Sequence, residues 1–171
     1  MQLSQLTEFS KSFNPLIAAF EPILINKNIE NNIVTDMAAG EEFTVIVTQN
    51  QQNDQTEVFS CGHNNKGELG VGNLSHLQDI TKISSLSNYQ FKSPKGQLDH
   101  IKINKICCGY HHCIAALNIG VIAEWGDNDY GQLGNNKRSF SENPIIMNYF
   151  SKEKILKVQC GKNVSSVICQ D

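Results

Sequence analysis

The densest group of side chains that could bind a metal ion lies in the middle of the chain. It comprises Cys107, Cys108, His111, His112 and Cys113. Thiolates and imidazoles are the usual ligands of zinc, but the spacing lacks a Cys-x2-Cys pair followed by a second distant pair. Alternate residues of a strand also point to opposite faces of a sheet, so the five side chains cannot all converge. The sequence favours packing roles for them, and we predict no metal site and no cofactor.

Ser60, His63 and Asp127 have the residue types of a catalytic nucleophile, base and acid. Their presence is weak evidence for catalysis, because a chain with five histidines and many serines offers many such combinations. No serine lies in the sharp strand-to-helix turn that exposes a nucleophile. We therefore expect a protein that is not an enzyme.

Charge and hydropathy exclude further classes of function. The net charge is −3 and the pI about 5.9, whereas proteins that bind nucleic acids generally have a high pI or a basic surface patch. A modest basic stretch is formed by Lys92, Lys95, Lys102 and Lys105. We interpret it as a solvated loop, with contact to an acidic partner or nucleic acid as the alternative. No apolar run approaches the roughly 18 residues of a membrane span.

The N-terminal residues carry no basic or arginine-rich targeting pattern. We expect an intracellular protein, in a cytoplasmic or cytoskeletal or ciliary assembly, with the nucleus or an organelle left open. The six cysteines are then expected to be reduced thiols.

The elements that must position these residues are repeated along the chain. The pattern G-x-N-x-x-G-x-L-G occurs twice, 64 residues apart, and a recurrence of this kind is typical of repeat architectures. Its fixed positions are Gly62, Asn64, Gly67, Leu69 and Gly70 in the first copy, and Gly126, Asn128, Gly131, Leu133 and Gly134 in the second. We call residues 62–70 and 126–134 the first and second repeat loops. Cys61 precedes the first loop and Trp125 the second, and Trp125 is more consistent with a core residue than with a binding hot spot.

Three further glycines, Gly40, Gly109 and Gly161, each end a run that alternates apolar and polar residues. Such alternation predicts half-buried strands. The predicted strands are 33–39, 43–48 and 57–61 in the first unit, 101–108, 113–117 and 121–125 in the second, and 155–160 and 164–169 in the third.

Two segments depart from this unit. Residues 1–19 have a weak amphipathic-helix pattern or form a frayed terminus, and we treat them as an extension of a repeat domain that covers 20–171. A Pro-Ile segment at 22–26 is echoed at 144–148. Residues 81–97 are rich in serine, and we predict a loop that leaves one face of the fold.

The segment from Trp125 to Gly134 closely resembles the repeat of the regulator of chromosome condensation family. This resemblance implies four-stranded antiparallel blades of a β-propeller. We therefore expect an all-β fold, a partial (open) propeller of about three blades. The first copy departs from the family pattern at Cys61 and Glu68, and only His112 keeps the histidine that often follows the strand-ending glycine.

Length limits what this chain can build. A closed ring in this family has seven blades, and at roughly 40–50 residues each it needs well over 300 residues. We expect unpaired strands at both ends, which are an aggregation hazard unless covered. Three alternatives follow: another polypeptide completes the ring, an open arc docks in a larger assembly, or the sequence is a truncated gene product.

The function that follows is a non-enzymatic protein-interaction or structural module, an accessory subunit of a multiprotein complex. The partners are expected to be other protein subunits, including a chain that completes the propeller. The alternative is a regulator of a small GTPase that acts by nucleotide exchange, and a metal-binding or catalytic protein is the third hypothesis. Function is expected in the loops, namely 49–56, 63–68, 73–97 and 127–132.

Overall fold

A computed structural model describes residues 29, 31–92, 98–118, 120–150 and 153–170. The helical pattern predicted at 1–19 and the Pro-Ile segment at 22–26 lie outside the described residues. Within them, no helix is long and apolar enough to cross a membrane.

The described chain is almost entirely made of antiparallel strands. In chain order these are β1 (Asn32–Ala39), β2 (Phe43–Asn50), β3 (Thr56–Gly62), β4 (Leu77–Lys82), β5 (Gln90–Lys92), β6 (Leu98–His100), β7 (Ile103–Cys108), β8 (His112–Leu117), β9 (Ile122–Gly126), β10 (Ser141–Met147), β11 (Lys154–Cys160) and β12 (Ser165–Gln170). One helical turn, α1 (Ser84–Ser87), lies between β4 and β5. Sheet 1 has the order β1-β2-β3-β4, sheet 2 has the order β10-β9-β8-β7, and β11 and β12 form sheet 3. A small hairpin, β5-β6, lies between sheets 1 and 2 in sequence.

The first strand in sequence of sheets 1, 2 and 3 carries an irregularity at the same place. The register shifts around Thr35 in β1, Asn104 in β7 and Leu156 in β11, each five positions before the repeat glycine. An extra residue on one strand bends the strand and increases its twist. The first strand of all three units is therefore curved, a feature that the alternating sequences alone did not reveal.

The core consists of two layers on opposite faces of sheet 2. Cys113, Ala115 and Leu117 of β8 belong to the larger cluster, which they share with sheet 1. Ile114 and Ala116 belong to the smaller cluster, which reaches sheet 3. Because alternate residues of a strand point to opposite faces, β8 is buried on both sides and sheet 2 is packed between its neighbours.

The prediction that residues 81–97 form a loop that leaves one face of the fold is wrong for its first half. β4 continues to Lys82, and α1 and β5 follow. Ile83 and Leu86 are fully buried in the larger core cluster, and the Ser87 hydroxyl accepts a hydrogen bond of 3.0 Å from the Val58 backbone N–H. The surrounding serines obscured two apolar residues three positions apart, a spacing that places both on one face of a helical turn.

Candidate functional site at the repeat loops

The turn between the first and second strands is built identically in all three units. The glycine N–H donates to the carbonyl of the residue three positions later, at 2.8–2.9 Å. The pairs are Gly40 with Phe43, Gly109 with His112, and Gly161 with Val164. The side chain of the later residue lies over the glycine, so that a methyl group at Gly109 would overlap the His112 ring. The three different residues in the histidine slot therefore all lie against the turn glycine.

The first repeat loop is held together by the side chain of Asn64, which is fully buried. Its Oδ1 accepts from the Leu69 N–H at 3.0 Å. Its Nδ2 donates to the carbonyls of Asn73 at 2.7 Å and Ser75 at 3.1 Å. One amide side chain thus satisfies three backbone groups of the loop, and a residue without both donor and acceptor would leave them unpaired.

The second repeat loop has the same bonds. Asn128 Oδ1 accepts from the Leu133 N–H at 3.0 Å, and Nδ2 donates to the carbonyls of Lys137 at 2.9 Å and Ser139 at 3.3 Å. The glycines of both loops have positive φ: 116° and 96° at Gly62 and Gly126, 80° and 82° at Gly67 and Gly131, and 66° and 56° at Gly70 and Gly134. Residues with a Cβ rarely adopt this region, which explains why the pattern fixes three glycines.

The indole ring of Trp125, in β9 of sheet 2, covers the first repeat loop. Trp125 is fully buried, and its Nε1 donates to the Glu68 carbonyl at 2.8 Å. The ring lies against Gly70, where an added methyl group would be 3.0 Å from Nε1. The Cys113 thiol also approaches the Glu68 carbonyl, at 3.7 Å. Trp125 therefore fills the space between sheets 1 and 2.

The start of β10 covers the rest of the same loop. A methyl group at Gly67 would lie 2.6 Å from the Ser141 carbonyl oxygen, and the Gly72 N–H donates to the Glu142 carbonyl at 2.9 Å. The two repeat loops also meet directly, because Lys66 Nζ lies 2.7 Å from a carboxylate oxygen of Asp129.

Glu68 and Gln132 occupy the same slot of the two loops and are both buried. Glu68 Oε2 accepts from the Lys66 N–H at 2.7 Å, and Gln132 Oε1 accepts from the Tyr130 N–H at 3.0 Å. Glu68 Oε1 lies 3.0 Å from His111 Nδ1 without an aligned hydrogen bond. Glu68 therefore replaces the family glutamine as a turn acceptor and adds a close contact with the His111 ring.

The junction between sheets 2 and 3 contains a cavity of about 370 Å³ beside the second repeat loop. Its lining includes Glu124, Gln132, Gly134, Tyr149, Ser165 and Val167. Glu124 is buried, and its Oε2 has no hydrogen-bond partner. Burial raises the pKa of this carboxyl to about 8. We call this space the junction cavity.

The structure divides the Cys/His group between the two core layers. Cys108 and Cys113 face the larger cluster with their sulfur atoms 3.4 Å apart. Cys107 faces the smaller cluster, where its sulfur accepts from the Cys160 N–H at 3.1 Å. Burial raises the pKa of the Cys113 and Cys160 thiols and lowers the pKa of His112. Among the described residues, no three His, Cys, Asp or Glu side chains are arranged to hold a metal ion.

The three side chains considered as a catalytic triad, Ser60, His63 and Asp127, each contact a different partner. Ser60 donates to the Leu69 carbonyl at 2.7 Å. His63 lies 2.8 Å from a Glu42 carboxylate oxygen, and Asp127 accepts from Gln132 at 2.8 Å. These contacts support the fold of the loops.

Two lysines of the basic stretch have acidic neighbours. Lys102 Nζ lies 2.9 Å from a carboxylate oxygen of Asp54, and Lys105 Nζ lies 3.9 Å from one of Asp36. The other two lysines of that stretch fall outside the described side chains.

The repeated loops have a counterpart among known families. Residues 56–116 and 124–168 match the model of the regulator of chromosome condensation (RCC1) repeat. The chain belongs to the RCC1 repeat family. Each matched RCC1 repeat begins on the third strand of one sheet and ends on the second strand of the next, so that it contributes to two sheets.

Several RCC1-repeat relatives match most of this chain. The X-linked retinitis pigmentosa GTPase regulator of Canis lupus familiaris is 28% identical over 82% of the chain and 12% of its own length. The ultraviolet-B receptor UVR8 of Arabidopsis thaliana is 28% identical over 84% of the chain and 29% of its own length. The human E3 ubiquitin-protein ligase HERC2 is 27% identical over 81% of the chain and 3% of its own length. The chain therefore spans less than a third of each of these relatives.

Solved structures confirm the predicted open β-propeller. Human WBSCR16 superposes with a TM-score of 0.64 at 22% identity, covering 83% of this chain and 32% of its own. Prp20p from Saccharomyces cerevisiae superposes with a TM-score of 0.57 at 21% identity, with the same coverage. Sheets 1 and 2 are complete four-stranded blades, and sheet 3 contains the inner pair of strands of a third.

Proposed function

We propose that this RCC1-repeat chain is a non-enzymatic protein-interaction module and an accessory subunit of a larger intracellular complex, in a cytoplasmic, cytoskeletal or ciliary assembly. The observation that carries the proposal is the exposed apolar surface on the first and last units of the described residues.

Exposed apolar side chains lie on both flanks of the arc. Ile33 and Met37 of β1 are 52% and 60% exposed, and Val164 and Ile168 of the last unit are 59% and 49% exposed. Apolar groups clustered near an open edge favour a protein partner, because covering them removes apolar surface from water.

Capture from native extract tests this proposal. Tagged protein should retain a large complex under mild salt, and Ile168→Lys should release it by placing a charge beside the β12 edge. Leu74→Lys is the matched control, since Leu74 is 41% exposed and lies in the first unit. A protein that stays monomeric in extract, or equal capture by both variants, would contradict the proposal.

A second candidate is regulation of a small GTPase by nucleotide exchange. It is supported by the relative named as a GTPase regulator, which aligns with 82% of this chain. Accelerated nucleotide release from a panel of purified small GTPases would establish it. Unchanged release across the panel would leave the interaction module alone.

A further inference from the structure

The residues beside each turn glycine form equivalent cross-strand pairs in the three units. The pairs are Ala39 with Thr44 in sheet 1, Cys108 with Cys113 in sheet 2, and Cys160 with Ser165 in sheet 3. Each pair lies next to the hydrogen bond that the turn glycine makes. Of these three pairs, only the one in sheet 2 has a thiol on both strands, so the second unit can do chemistry that the other two cannot.

The geometry of the pair in sheet 2 suits a disulfide. Opposed residues of antiparallel strands alternate between hydrogen-bonded and non-hydrogen-bonded pairs, and the latter have Cα atoms about 4.5 Å apart. Gly109 and His112 are hydrogen-bonded, so Cys108 and Cys113 are a non-hydrogen-bonded pair. Their separation falls within the range of about 4.4–6.8 Å that disulfides span. The sulfur atoms are 3.4 Å apart, and rotation of the side chains brings them to the bonding distance of about 2.05 Å.

The two thiols differ in their access to solvent. Cys108 is partly exposed, whereas Cys113 is fully buried, and burial raises the pKa of the Cys113 thiol. A dissolved oxidant therefore reaches Cys108 first, and Cys113 is placed as the resolving thiol that reacts second. Cys107 is next to Cys108 in sequence but packs against the opposite core layer, so it does not compete for Cys113.

We propose that Cys108 and Cys113 are a redox-active pair, which hydrogen peroxide converts reversibly into a disulfide between β7 and β8. The Cys108 sulfur attacks one peroxide oxygen, the O–O bond breaks, and a sulfenic acid and water are formed. The Cys113 sulfur then attacks the Cys108 sulfur, the S–O bond breaks, and the leaving hydroxide takes the Cys113 proton to give a second water. The two thiols lose two electrons to the peroxide, and an external dithiol reverses the oxidation by exchange.

The first repeat loop would sense the change. The Cys113 thiol and the Trp125 indole N–H both point to the Glu68 carbonyl, at 3.7 Å and 2.8 Å. A disulfide sulfur carries no hydrogen, so oxidation removes the thiol donor and leaves the indole N–H in place. The turn between the two cysteines also carries His111, which lies 3.0 Å from the Glu68 carboxylate. The oxidation state of the pair is thus coupled to the contact between sheets 1 and 2, and this inference stands independently of the proposed interaction module.

Oxidation of the 171-residue protein tests the inference. Equimolar hydrogen peroxide should lower the intact mass by two hydrogen atoms, and dithiothreitol should restore it. Chymotrypsin cleaves after Tyr110, between the two cysteines. After the free thiols are blocked, the digest of the oxidised protein should therefore contain the Cys108 and Cys113 peptides joined, and reduction should separate them. A bridge between Cys107 and Cys160, oxygen addition without a bridge, or an unchanged mass would overturn the inference.

Two serine variants separate this pair from the other thiols. Cys108→Ser should abolish the mass loss. Cys169→Ser is the matched control and should keep it, because Cys169 is also partly exposed but lies in β12. Trp125 is the single tryptophan of the chain and lies opposite Cys113, and disulfides quench nearby indoles. Its fluorescence should fall on oxidation of wild type and of Cys169→Ser and stay constant in Cys108→Ser, whereas the same response in all three proteins would contradict the inference.

Discussion

The two repeat loops have the same internal hydrogen bonds and differ in what covers them. In the first loop, Gly67 lies against the Ser141 backbone and Gly70 against Trp125. In the second, a methyl group at Gly131 would meet nothing within 4 Å. The loop geometry is therefore set by its own asparagine and glycines and does not need the next blade. Such a preformed surface loses little conformational entropy when a partner binds.

The largest expected effect comes from removing the indole between sheets 1 and 2, so that this junction resembles the one between sheets 2 and 3. Trp125→Ala removes the indole and its hydrogen bond to the Glu68 carbonyl. We expect a loss of about 3–5 kcal/mol in the free energy of unfolding, as for other buried aromatic truncations. Urea unfolding measures it, and Trp125→Phe should lose less. A loss below about 1 kcal/mol would show that the junction is not held by this side chain.

A pH series tests the second junction. The folded-state pKa of Glu124 is raised from 4.5 to about 8, so between these values the folded state keeps a proton that the unfolded state has lost. Stability should therefore fall as pH rises, by up to about 1.4 kcal/mol per pH unit. Glu124→Gln should remove this slope, and its advantage over wild type should grow up to about pH 8 and stay constant above it.

Thermal unfolding of Glu124→Gln from pH 4 to 9 provides the measurement. Glu153→Gln serves as the control, because Glu153 is exposed. If wild type and Glu124→Gln keep parallel profiles throughout this range, the carboxyl is ionised in the folded protein and the cavity is wetter than its lining indicates.

Alanine at the middle glycine of each loop compares the two surroundings directly. Both positions have positive φ, which costs about 1–2 kcal/mol for a residue with a Cβ. Gly67→Ala also collides with the Ser141 carbonyl 2.6 Å away, whereas Gly131→Ala has open space. We expect Gly67→Ala to be the more destabilising in chemical denaturation. Equal losses would mean that β10 moves aside freely.

The smallest effect is expected for the ion pair between the loops. The side chains of Lys66 and Asp129 are 35% and 55% exposed. Pairs of this kind contribute about 0–1 kcal/mol and are screened by salt. Lys66→Ala should lower the unfolding free energy slightly in dilute buffer and not at all in about 1 M salt. A large, salt-independent loss would point to the contact of Lys66 with the buried Asp127 instead.

Eight strands (β1–β3, β7–β9, β11 and β12) and the glycine turns were predictable because their causes are local, whereas β4, β5, β6 and β10 were not predicted. Alternating apolar residues and glycines with positive φ mark the elements around Gly62 and Gly126. Ile83 and Leu86 were missed because serines surround them. The burial of Glu124 was missed because an acidic residue in a strand is normally solvent-facing. The contact of Trp125 with Glu68 joins residues 57 positions apart, which no local pattern reveals.

The offset between sequence repeats and blades bears on how such chains lengthen. Each matched segment supplies the third and fourth strands of one sheet (here called the outer pair) and the first and second strands of the next (the inner pair). Duplication of one segment in the gene therefore inserts an outer pair that completes the preceding blade and an inner pair that begins another. The arc grows by one blade, and every blade already present keeps its four strands.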